Sequence, residues 1–100
     1  MGGAKRQLPK RLPAKLRHIR EALGYTQQEM VKRLGLEDKV PRSYLSRFET
    51  GEREPSLEVL LKYSEIAGVW INALVDDHVD LPSRLPCAKM HEGVKNKHRL

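Results

Sequence analysis

Thr26-Gln27-Gln28-Glu29, followed at a distance by Arg47-Phe48-Glu49-Thr50-Gly51-Glu52-Arg53-Glu54-Pro55, decides how the rest of the chain is read. In the first stretch the threonine hydroxyl can accept from a free amide of a new helix, and Glu29 can reach back to the amide of Thr26. That reciprocal arrangement, a capping box, marks a helix start. Met30, Val31 and Leu34 supply the buried face of this helix, and Gly35 ends it. An element of about nine residues is too short to stand alone, so packing must hold it. The second stretch is the tail of another short helix, closed by Gly51 and accompanied by basic side chains.

Upstream, Leu12, Leu16, Ile19 and Leu23 recur at helical spacing, with Pro13 tolerated in the first turn and Gly24 able to close the helix. Downstream of Gly35, residues 35–41 make a turn, and Pro41 presets the backbone for a third helix over about Arg42 to Thr50. Leu45 and Phe48 face inward on that helix, which leaves Arg42, Ser43, Tyr44, Ser46 and Arg47 outside. Such a face is rich in donors and narrow enough for a major groove. Ser56 caps a fourth helix with Leu57, Leu60, Leu61, Ser64 and Ala67 along one side, closed by Gly68. A fifth, near Ile71 to Val75, completes an all-α body, and Asp76, Asp77 and Asp80 end it. The expected organisation is a basic mobile arm over residues 1–12, a folded domain over 13–80 and a basic, disordered tail over 81–100.

A chain of 100 residues supports one small domain with a modest core. Its net charge of +6 is unevenly spread, at +6 over residues 1–24, −4 over 25–80 and +4 over 81–100. Basic ends around an acidic centre suit a polyanion, because Lys and Arg that neutralise phosphates dominate non-specific DNA affinity. Lys10 and Arg11 are therefore expected to touch DNA phosphates; solvated tails that aid solubility are the competing reading. Cys87 is the single cysteine, so no internal disulfide forms. No apolar run reaches membrane-span length, and Met1-Gly2-Gly3-Ala4-Lys5-Arg6 lacks a signal peptide's apolar stretch, which points to the cytoplasm.

Five short helices with this punctuation resemble the lambda-repressor-like, Cro/C1-type helix-turn-helix domains, also called the XRE family of bacterial and phage regulators. The likeness runs from about Leu16 to Val75 and rests on Leu23-Gly24-Tyr25-Thr26-Gln27-Gln28-Glu29-Met30, Leu34-Gly35, Leu45-Ser46-Arg47-Phe48-Glu49-Thr50-Gly51, Arg53-Glu54-Pro55-Ser56-Leu57, and Leu60-Leu61 through Gly68. The resemblance implies a transcriptional regulator, dimeric on double-stranded DNA, with its third helix in the major groove. It implies base contacts from Arg42, Ser43 and Arg47 and backbone contacts from Ser46 and Arg53. It also gives Gln27 a phosphate and a bracing role toward the third helix, and makes Arg20 and Glu49 a structural ion pair.

The turn at 35–41 is about four residues longer than usual in that family, which either shifts the third helix relative to the second or adds Lys39 as an expected phosphate contact. Trp70 stands where a helix cap is common, either as a core or edge aromatic or as a dimer contact. The rival function is an antitoxin or adaptor that works through a protein partner on helices four and five. Cys87, His91 and His98 make a poor metal signature, and neither a cofactor site nor a catalytic arrangement is present in the sequence.

Overall fold

The computed structural model describes residues 9–86. Residues 1–8, most of the expected arm, and 87–100, with Cys87, His91 and His98, lie outside the described residues. Helices account for the regular structure among those described: α1 (Leu12–Leu23), α2 (Gln27–Arg33), α3 (Ser43–Thr50), α4 (Leu57–Ala67) and α5 (Asn72–Val75).

The capping box at Thr26 forms as the sequence reads. Glu29 N donates to Thr26 Oγ1 at 3.1 Å, and Thr26 N donates to Glu29 Oε1 at 2.8 Å. Ser56 likewise caps α4 by accepting from Val59 N at 3.2 Å. Gly51 ends α3 with φ at 85°, and a Cβ there would stand 3.3 Å from the Pro13 ring. The left-handed torsion favours glycine, and a Cβ would press on the Pro13 ring of α1.

Helix α1 lies across α3 and also touches α4 and α5, while α2 rests on α3. Leu16, Ile19, Met30, Leu36, Leu45, Tyr63 and Leu74 are fully buried where these elements meet. Leu36 belongs to the long turn after α2. Its burial turns that insertion into a packed segment, with Leu36 N donating to Val31 O and Val40 N to Leu36 O.

Three expectations are corrected. On α4 the inward side is Val59, Leu60, Tyr63, Ile66 and Ala67, whereas Leu57 and Leu61 are 73% and 49% exposed. Both sides of this helix carry leucines, so spacing alone leaves its rotation open, and the bulk of Tyr63 settles it inward. Burial pushes the Tyr63 hydroxyl well above the usual phenol range. Trp70 is not a core aromatic, being 84% exposed.

The packed body is also longer than 13–80. Leu12 is buried at the start of α1, and Leu85 returns to the core beyond the expected boundary. Proline at 82 makes the segment read as a tail, but Leu81 packs partly buried against the body and Leu85 enters its core.

Candidate nucleic-acid interface

Helix α3 is two-sided. Leu45, Phe48 and Glu49 are buried, while Arg42, Ser43 and Arg47 are exposed and Ser46 and Tyr44 lie half-buried between them. A cleft of about 470 Å³ opens between the starts of α2 and α3, lined by Gln27, Gln28, Pro41, Arg42 and Ser43. Arg42 caps α3 without a side-chain bond to the helix, so its guanidinium is free to turn outward. It does so against α2, where Arg42 Nη1 donates to Gln28 Oε1 at 3.1 Å.

Arg47 stands one turn further along, 4.0 Å from Glu52. Arg53 belongs to the loop after α3, its amide donating to Arg47 O at 3.2 Å. Its guanidinium lies over the Tyr44 ring at 4.0 Å, and Tyr44 in turn meets Phe48 edge to face at 6.3 Å. A stacked guanidinium keeps its in-plane donors free for an anion. Arg53 is thus positioned from the core outward through two aromatic rings.

Underneath, Glu49 organises three elements. Arg20 Nε and Nη2 on α1 donate to its two carboxylate oxygens at 2.7 and 3.1 Å, and Gln27 Nε2 on α2 donates to Oε1 at 3.1 Å. Arg20 Nη1 also donates to Tyr25 O at 2.8 Å. The Glu49 hydrogen bond raises the Arg20 pKa against the opposing effect of burial. Gln27 therefore braces α2 against α3 with its own side chain.

Other expected contacts sit elsewhere. Lys39 pairs with Glu58 at 3.3 Å, which ties the long turn to the start of α4. Arg11, expected on DNA phosphates, is held by protein instead: Nη1 donates to Asp77 O at 2.8 Å and Nη2 bonds Asp80. The amides of Lys10 and Arg11 both donate to the Asp77 carboxylate at 2.9 Å, so these two residues are docked and not part of a mobile arm. The acidic residues after α5 fold back on the basic entry to α1, a pairing of charges far apart in sequence. The Lys10 side chain instead lines a groove with Arg53, Phe48 and Pro55.

Lys15 was missed by the sequence. It is buried, and its Nζ donates to the carbonyls of Ala73, Asp76 and Val79 at 2.8, 2.9 and 2.7 Å. Burial, then repulsion from Arg11, lowers its pKa, while Asp77, Asp76 and Asp80 oppose that shift. The available signal was its place beside Leu12 and Leu16 on the apolar stripe. Gln28 was missed as well, hidden inside the capping motif.

Among the described residues no cluster of His, Cys, Asp and Glu could hold a metal ion, and no helix is long and apolar enough to cross a membrane. The sequence profile of a family described as helix-turn-helix, of the Cro/C1 type, matches residues 16–69. No curated protein and no solved structure matches the chain.

Proposed function

The chain belongs to the Cro/C1-type helix-turn-helix family, and from that premise we propose that it is a sequence-specific transcriptional regulator that lays α3 in the major groove of DNA. The observation that carries this reading is the division of α3, with Leu45 and Phe48 inward and Arg42, Ser43 and Arg47 outward. Arg42 and Arg47 pair with guanine edges, and Ser43 adds a further base contact. Gln27, Ser46 and Arg53 contact phosphates beside the groove, and Lys10 extends that line through its groove with Arg53.

Selection of bound duplexes from a random pool tests the proposal. The wild-type chain is expected to return one preferred motif, and Arg42→Ala and Arg47→Ala each to erase preference at one base pair, worth about 1 to 3 kcal/mol. Equal weakening on every duplex would mean that binding is driven by charge alone.

Leu57, Leu61 and Trp70 support a second, compatible activity, because large apolar side chains exposed on α4 and the link after it suit a protein neighbour. A second copy of the chain is the occupant that DNA reading favours, since paired half-sites call for a two-fold dimer. An antitoxin or adaptor would present the same surface to a different protein. Stable co-purification of that protein with the wild-type chain, lost in Trp70→Ser, distinguishes it from a homodimer.

A further inference from the structure

Arg42 and Gln28 come from different helices, yet their side chains meet at 3.1 Å across the mouth of the cleft between α2 and α3. The chemistry fixes how they meet. A guanidinium has donors only, so the Gln28 amide must turn its oxygen toward Arg42 and keep its NH2 group for other partners. Arg42 spends one Nη1 hydrogen on this bond. Its other donors remain, including a pair that can engage a guanine edge.

An exposed arginine at a helix cap otherwise samples many rotamers, and ordering it on binding carries an entropic cost. The capping box fixes the backbone of the first turn of α2, so the Gln28 acceptor is anchored at a set place beside Arg42. Gln27, its neighbour, turns its NH2 group to Glu49 instead.

We propose that Gln28 is a positioning residue for Arg42, one that sets which base pair Arg42 discriminates and how sharply. This rests on the reading of α3 as the recognition helix. With its oxygen turned to Arg42, Gln28 directs its NH2 group elsewhere, and that donor suits an acceptor such as a phosphate oxygen or a purine N7.

The test uses the full chain and the duplex selected by the wild type, with single-pair variants at every position. The pair read by Arg42 is the one whose preference vanishes in Arg42→Ala. In Gln28→Ala, discrimination at that pair is expected to fall about five- to tenfold while other positions keep theirs. Gln28→Glu keeps an acceptor for Arg42, so it should retain the profile while binding all duplexes more weakly. Adding Gln28→Ala to Arg42→Ala should change that pair little further. The inference is overturned if Gln28→Ala keeps the wild-type profile, or if Gln28→Glu loses it as fully as Gln28→Ala. If Arg42→Ala itself changes no preference, the reading of α3 fails and the positioning role falls with it.

Discussion

Arg20 of α1 and Glu49 of α3 are joined side by side by two hydrogen bonds, 2.7 Å from Nε and 3.1 Å from Nη2, with both side chains largely out of solvent. The same carboxylate takes Gln27, so α1, α2 and α3 are tied together through one buried charge. Removing either partner leaves the other ion buried and uncompensated. Arg20→Ala and Glu49→Ala are each expected to lose about 3 to 5 kcal/mol in urea unfolding. The double variant should lose less than the sum of the two. Additive losses would show that the pair is not coupled.

Lys15→Met keeps the apolar stem and strips the ammonium from the carbonyls of Ala73, Asp76 and Val79. A loss of about 2 to 4 kcal/mol is expected, since buried carbonyls lose a charged donor. Thermal unfolding gives the magnitude. Amide exchange gives the place, with protection lost first in α5 and the residues after it.

Hydrogen bonds from the amides of Arg11 and Lys10 hold the Asp77 carboxyl below its ordinary value of 3.8. A carboxylate with a depressed folded pKa adds stability that is fully present above its unfolded pKa and is lost as pH falls through the folded one. The junction between residues 10–11 and Asp77 should therefore persist at pH 3.8 and release only in stronger acid. The amide proton shifts of Lys10 and Arg11, followed by NMR during acidification, report this directly. In Asp77→Asn that titration should vanish from both amides.

Trp70→Ser removes a large ring that the body of the protein leaves in water. Monomer stability should change by no more than about 0.5 kcal/mol. Sedimentation velocity is expected to show the variant shifted from dimer toward monomer. A wild-type chain that is monomeric at every concentration and on DNA would dismiss the surface as a self-contact.

Sequence made the local elements plain where chemistry is local. Thr26 and Glu29 declare a helix start within four residues, and Gly51 declares an end, because caps depend on neighbours alone. The outward set Arg42, Ser43 and Arg47 was legible for the same reason, since Leu45 and Phe48 fix the rotation of α3. Pairings between distant segments were not. Lys15 reads as a surface lysine until residues 73–79 surround it, and Arg11 reads as a DNA contact until Asp77 and Asp80 arrive. On α4, leucines on both sides concealed which side Tyr63 would draw inward. Gln28 and Arg42, fourteen positions apart, became partners only once the turn had folded.

The bonds from Arg11 and Lys15 to residues 73–80 also impose a timetable on synthesis. The opening helix leaves the ribosome long before its acceptors are made, so its lysine must wait in water. Final locking comes only after residues 73–80 have been translated, which makes that segment the one that commits the fold. A ribosome stalled before Ala73 is thus expected to display a chain with helical content and an unfastened first helix.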